Sequence, residues 1–564
     1  RQSKRFIFNA TNGDDLAFAL TNLVITPSSP NYVSVNVLQP TNYNYWPSWE
    51  NCYLTSTPGC SFNLMNLWGT GTYQLFVGSN GASTMSFGLT LSTDIAGTLT
   101  AGASPTTLDL EAPGRQALLT FTATAGDNRT LRFNSPSTTP AGTGLSYILY
   151  QPGNGGPIAS NPNFTAATTV NLTSLPTTGT YTLLVAPRNA ATGSVQLIFL
   201  DSTLGTLPTD GSTQTFSTTL PSQNAYFTFS ATAGDDLSLA ITNLALTPNP
   251  PSGISWSIIR PDGYQLGGNT ICSASVTPGC TKDSNLNDSP LINLPLTGTY
   301  RVIVGPQGAA TMSFSLTLSQ DLATALTPGT PLAVNLDVPG RQTMLTFTAT
   351  AGQTMALQLS SLATTPAGKG VGFRVYRANG DLIAAASNVT TPTTFNLPDL
   401  TAGTYAVFLA PRDAAMGTAQ VTLVNGVSAA LPTNGSTQSF STALPSQNAY
   451  FTFSGTAGDD VSLAITNLAL TPNPPSGISW SIIRPDGYQL GGSTICSASV
   501  TPGCTKDSNL NDSPVINLPL TGTYRVIVGP QGAATMSFNL TLSQDLATAL
   551  TPGTPLAVNL DVPG

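Results

Sequence analysis

The chain repeats itself. Residues 221–340 and 445–564 agree at all but five positions: Ala231/Gly455, Leu237/Val461, Asn269/Ser493, Leu291/Val515 and Ser315/Asn539. A repeat of 224 residues is too long for one solenoid turn, so each copy must hold folded units of its own. It divides again. Tyr226-Phe-Thr-Phe-Ser-Ala-Thr-Ala-Gly-Asp has counterparts at Leu119-Thr-Phe-Thr-Ala-Thr-Ala-Gly-Asp and Leu345-Thr-Phe-Thr-Ala-Thr-Ala-Gly-Gln. Leu296-Thr-Gly-Thr-Tyr-Arg-Val-Ile-Val matches Leu400-Thr-Ala-Gly-Thr-Tyr-Ala-Val-Phe-Leu. Two related domain types therefore alternate. Cysteine-containing domains are expected at 1–92, 203–318 and 427–542, cysteine-free ones at 93–202 and 319–426, and residues 543–564 are left as a lone C-terminal strand.

Within each domain the apolar residues alternate in short runs between polar turns. In the second cysteine domain, strands are expected at 214–218, 225–231, 237–242, 254–260, 291–294, 299–304 and 311–318. Turns fall at Ala-Gly-Asp-Asp (233–236) and Pro-Asp-Gly (261–263). No convincing amphipathic helix is present. The expectation is an all-β chain of five tandem jelly-roll or immunoglobulin-like β-sandwich domains.

Charged residues make up only 8% of the chain, against about 25% in ordinary soluble proteins. The net charge of −8 with so few Lys and Arg disfavours nucleic-acid binding. No apolar run is long enough for a membrane-spanning helix. The six cysteines form three equally spaced pairs, Cys52/Cys60, Cys272/Cys280 and Cys496/Cys504. With no histidine and no CxxC, disulfides explain them better than a metal, and they place the protein in an oxidising compartment outside the cytoplasm.

The sequence Tyr226-Phe-Thr-Phe-Ser-Ala-Thr-Ala-Gly-Asp-Asp-Leu, then Arg260-Pro-Asp-Gly-Tyr-Gln-Leu, then Leu294-Pro-Leu-Thr-Gly-Thr-Tyr-Arg-Val-Ile-Val resembles the bacterial pre-peptidase C-terminal domains. The resemblance implies jelly-roll-like sandwich modules of secreted and surface proteins, commonly accessory to an enzyme. It covers all five expected domains and is clearest at Thr-Gly-Thr-Tyr. The Cys-x7-Cys insert and the near-identical tandem copies depart from a single accessory module.

The absence of histidine excludes Ser/His/Asp and Cys/His mechanisms, and no enzymatic role is expected. Asp235 and Asp236 follow a turn glycine. They are read either as a solvated turn closed by side-chain hydrogen bonds or as part of a calcium site. Tyr43, Tyr45, Trp46, Trp49 and Tyr53 gather beside Cys52. Packing against a neighbouring subunit or domain is one reading of them, and a platform for surface glycans is the other.

The two ends carry the functional expectation. Leu556, Val558, Leu560 and Val562 alternate with polar or small residues, and the same residues at 330–340 lead into Arg341-Gln-Thr-Met-Leu-Thr-Phe. The chain opens Arg1-Gln2, followed by Phe6 and Phe8, as if the first domain lacked its leading strand. The expectation is a structural subunit of an extracellular bacterial filament, secreted or at the cell surface. Identical subunits would join head to tail as the C-terminal strand of one enters the first domain of the next. The alternatives are an adhesin stalk or carbohydrate-binding module, and an accessory region of a larger secreted protein.

Overall fold

Val33, Val35 and Val37 are buried while the alternate residues Ser34, Asn36 and Leu38 are only partly so, the period-two pattern of a strand with one face on a core. This pattern runs through the whole molecule. The computed structural model describes residues 3–26, 32–40, 50–53, 59–79, 83–153, 155–248, 253–271, 284–285, 294–472, 477–495, 508–509, 517–545, 548–559 and 562. Among them the fold is all-β, with no α-helix.

The first two-sheet unit contains β1 (Ser3–Ala10), β2 (Leu16–Thr26), β3 (Tyr32–Leu38), β4 (Glu50–Tyr53), β5 (Cys60–Leu64), β6 (Gly71–Ser79) and β7 (Thr84–Thr93). Its sheets have the orders β1-β6-β3-β4 and β5-β2-β7. The second unit contains β8 (Ile95–Thr98), β9 (Gly102–Leu110), β10 (Ala117–Ala123), β11 (Arg129–Thr139), β12 (Leu145–Tyr150), β13 (Pro157–Phe164), β14 (Thr168–Leu172), β15 (Gly179–Pro187) and β16 (Thr192–Asp201). Its orders are β13-β12-β15-β10-β8 and β14-β11-β16-β9. The three later units repeat that nine-strand plan. Five separate hydrophobic clusters form the cores, one between each pair of sheets.

One aromatic pair recurs in every core and explains the Thr-Gly-Thr-Tyr sequence. Phe229 stacks on Tyr300 with ring centroids 5.2 Å apart, and Phe8/Tyr73, Phe121/Tyr181, Phe347/Tyr405 and Phe453/Tyr524 do the same at 5.0–5.3 Å. Each tyrosine is fully buried, so its hydroxyl needs a partner. Tyr300 donates to the Leu296 carbonyl at 2.8 Å, and Tyr181 donates to Thr177 at 2.7 Å. Gly298 beside it has φ +149°, and a Cβ there would lie 2.9 Å from Pro261; only glycine fits.

Successive units meet through repeated hydrogen bonds. The Asp94 N–H donates to the Asp15 carbonyl at 3.1 Å and Asp321 to Asp236 at 3.0 Å, and Asp545, where the C-terminal segment leaves the fifth unit, makes the same bond to Asp460 at 2.9 Å. At the alternate junctions, Asn171 donates to Ser222 O (2.9 Å) and accepts from the Asn224 N–H (3.1 Å). Asn396 makes the same two bonds to Ser446 O and Asn448, at 3.1 and 2.9 Å.

The strand placement differs from the expectation in the third unit. The structure adds Thr203–Thr206 and Gln265–Ile271 to the expected strands. The first is four residues long, too short to show alternation. The second carries Gly267-Gly268 where the apolar pattern should continue. The expected strand at 291–294 falls largely outside the described residues, and Leu294 belongs to no strand.

Candidate functional site: an open edge and an exposed tail

In the second unit, β8 lies parallel along β10 and β9 lies antiparallel along β16. The later units carry the same two strands: Leu322–Ala325 lies parallel on Thr343–Ala349, and Leu332–Leu336 antiparallel on Met416–Asn425. The stacked Phe8/Tyr73 pair aligns β1 with β10 and with Thr343–Ala349, since Phe8, Phe121 and Phe347 each stand opposite their tyrosine. By its pairing to β2, β7 corresponds to β16. Among the described residues nothing lies along the outer edge of β1 or of β7. Among the described residues each sheet of the first unit has one strand fewer than the corresponding sheets of the later units.

The cost shows in the core. Phe6, Phe8, Met85, Phe87 and Leu89 are only partly buried, whereas their counterparts in the third unit, Phe227, Phe229, Met312, Phe314 and Leu316, are fully buried. Leu91 is 43% exposed where Leu318 is 1%. An open row of backbone groups beside half-covered aromatic rings is a template for another strand.

The complementary surface lies at the other end of the chain. Residues 548–559 form no strand, although the same sequence at 324–335 contributes to two. Leu550 is 78% exposed and its counterpart Leu326 6%; Val558 is 71% exposed and its counterpart Val334 4%. Leu556 is exposed as well. Val562, by contrast, is half-buried: a Cβ on Gly435 would lie 3.0 Å from its Cγ1, as one on Gly211 would from Val338. Of the four expected donor residues, the structure therefore leaves Leu556 and Val558 uncovered and docks Val562 on the preceding unit. Leu560 lies outside the described residues.

Of the expected acceptor residues, Phe6 and Phe8 lie on the open edge. Arg1 and Gln2 lie outside the described residues. Counting back from Phe8, Ser3 rather than Gln2 stands where Gln116 and Gln342 stand, so the Arg-Gln resemblance is one residue out of step with the strand register. The remaining expected sites are dispersed. Cys52 and Cys60 form a disulfide with Cα atoms 5.9 Å apart, which fits an oxidising compartment. Cys272, Cys280, Cys496 and Cys504 fall outside the described residues, as do Tyr43, Tyr45, Trp46 and Trp49. Tyr53 ends β4 opposite Tyr32. The Asp235 carboxylate accepts the Thr232 N–H at 2.7 Å and closes its own turn, and the Asp236 carbonyl holds Asp321. Among the described residues no group of three acidic, Cys or His side chains could hold a metal ion.

Sequence reasoning passed over the junction aspartates. Burial pushes the Asp94 carboxyl up to about 6; neighbouring Asp15 adds to the rise, while the Gln116 N–H and Arg115 oppose it. Burial likewise raises Asp321 to about 6, against hydrogen bonds from the Ser238 hydroxyl and the Gln342 N–H.

No family model matches the chain, and no curated protein does. Among solved structures it is similar to the pre-peptidase C-terminal domain of a Bacillus anthracis collagenase, at 15% identity over 18% of this chain and 95% of that one, with a TM-score of 0.15. It is also similar to PliG of Aeromonas hydrophila, a periplasmic inhibitor of g-type lysozyme, at 19% identity over 19% and 99%, TM-score 0.15. The CUB1-EGF-CUB2 domain of human MASP-1/3 matches at 10% identity over 38% and 99%, TM-score 0.13. Likenesses at these values do not bear on function. Among the described residues no helix is long and apolar enough to cross a membrane.

Proposed function

We propose that this chain is a non-catalytic structural subunit of an extracellular filament, in which the tail of one copy completes the first unit of the next. We read the two-sheet units as jelly-roll-like sandwich domains at 1–92, 93–202, 203–318, 319–426 and 427–542, with 543–564 as the donated segment. The observation that carries the reading is a matched pair of deficits. Apolar residues of β1 and β7 are only partly buried where their counterparts in the third unit are fully buried, and the residues whose counterparts are buried at the edges of the fourth unit, Leu550 and Val558, are exposed in the tail.

β-strand addition answers both. Main-chain hydrogen bonds fill the open edge, and alternate side chains fill the core beneath it. Covering Leu550, Leu556 and Val558 stabilises the contact by roughly 4–9 kcal/mol before the costs of ordering the tail and of association. The contact joins unlike surfaces, so it propagates into an open fibre unless the rotation between copies closes a ring. The oxidised Cys52–Cys60 pair fits an extracellular setting. Deleting residues 554–564 should leave monomers by electron microscopy and light scattering. Fibres of ordinary length from the deleted chain would overturn the reading.

A further inference from the structure

We propose that the donated tail enters as two strands rather than one: residues 556–559 antiparallel along β7, and residues 548–550 parallel along β1, each completing one sheet of the next copy's first unit. This rests on the filament reading and adds the second contact to it. Four internal joints show the parallel contact already made. Leu99, Leu207, Leu326 and Leu431 each follow the short parallel strand, each is buried, and each donates its N–H, at 2.7 Å, to the carbonyl of Thr120, Thr228, Thr346 and Thr452. The residue of β1 at that threonine position is Ile7, exposed at the free edge. The residue of the tail at the leucine position is Leu550, the most exposed large apolar residue among those described.

The register follows from the same comparison. Ala325 stands opposite Thr346, and in the equivalent pairs Thr98/Thr120 and Thr206/Thr228 the hydroxyl oxygens approach to 3.5 and 3.2 Å. Ala549 is thereby placed opposite Ile7. On the other sheet Asn335 pairs with Thr418, which places Asn559 opposite Ser86. Charge agrees with the arrangement. Lys4 and Arg5 occupy the β1 positions filled by uncharged Thr343 and Met344 in the fourth unit, and the arriving tail brings Asp545. The occupant is a second copy's tail because its sequence is the one already seated at the equivalent edges of the fourth unit.

The test uses the full chain with two engineered cysteine pairs, Ile7→Cys with Ala549→Cys, and Ser86→Cys with Asn559→Cys. Each is oxidised after assembly, and linked peptides are identified by mass spectrometry. Intermolecular links from both pairs, as ladders on a non-reducing gel, are the expected result. A ladder from Ser86/Asn559 alone leaves the filament reading standing and overturns the second strand. Fibres that form with neither link overturn strand donation altogether. Links confined to single chains show that the tail closes on its own first unit, and an absence of any assembly removes both readings. A Leu550→Asp chain should need about tenfold or more protein to assemble, and Leu550→Met close to the normal amount.

Discussion

Val562 lies so close over the Cα of Gly435 that an added Cβ would meet its Cγ1 at 3.0 Å, and Gly435 itself has φ +81°. The tail is thus pinned to its own last unit near its far end while 548–559 remain uncovered. Gly435→Ala should release it, because the new methyl group displaces Val562 and the left-handed backbone disfavours a side chain by about 1 kcal/mol. Limited proteolysis of the unassembled chain should cleave the tail faster in the variant. Unchanged rates would show that the contact does not restrain it.

A peptide of residues 545–564 should complete the first unit in trans. Calorimetry of the whole chain should show its lowest transition rise by several degrees with excess peptide, as binding to the folded state requires. Added before assembly, the peptide should suppress fibre growth. Phe87→Ala, which removes half-covered core on β7, should lower that transition and abolish the response to peptide.

The buried aspartates make the joints sensitive to pH in a defined direction. Asp94 and Asp321 titrate near 6 in the folded chain and near 3.8 when unfolded. Between those values the folded state holds the extra protons, so stability falls as pH rises. The stabilisation is complete below about pH 4 and lost above about 6, by about 1–3 kcal/mol per site. Asp94→Asn and Asp321→Asn should flatten the dependence of unfolding on pH between 4 and 7 and leave the joints at least as stable at pH 7. A wild-type chain equally stable at both ends of that range would contradict the assignment.

Removing the Cys52–Cys60 disulfide with paired serine substitutions should destabilise the first unit by roughly 2–3 kcal/mol, the loop-closure entropy of a short ring. Its bridged ends lie on β4 and β5, away from the open edges. Assembly of the folded variant at low temperature should therefore be unchanged.

Much of this was legible from residues alone. Period-two runs marked the long strands and the all-β class. The spacing of Cys52 and Cys60 gave their bond. What escaped has physical causes. A four-residue strand such as Leu322–Ala325 shows too few alternations to stand out, so Leu550 in the first half of the tail carries no sequence signal of its own. Gly267-Gly268 hid an edge strand whose hydrogen bonds need no side chains. The Arg1-Gln2 match was misleading because register is set by the buried Phe8/Tyr73 pair, not by the residues nearest the joint. The raised carboxyls of Asp94 and Asp321 come from burial between units, which no local pattern encodes.

The repetition of the chain has one more consequence. The tail is identical in sequence to the segment that already fills the edges of the fourth unit, so in principle it can compete there too. The resident segment, however, is tethered, and a short tether holds it at an effective concentration in the millimolar range. A tail arriving from dilute solution loses that contest at every edge with a resident strand. On the filament reading proposed above, the edges of β1 and β7, which carry no resident strand among the described residues, are where an incoming tail would meet no tethered rival, so identical strands would be sorted by position rather than by difference in sequence.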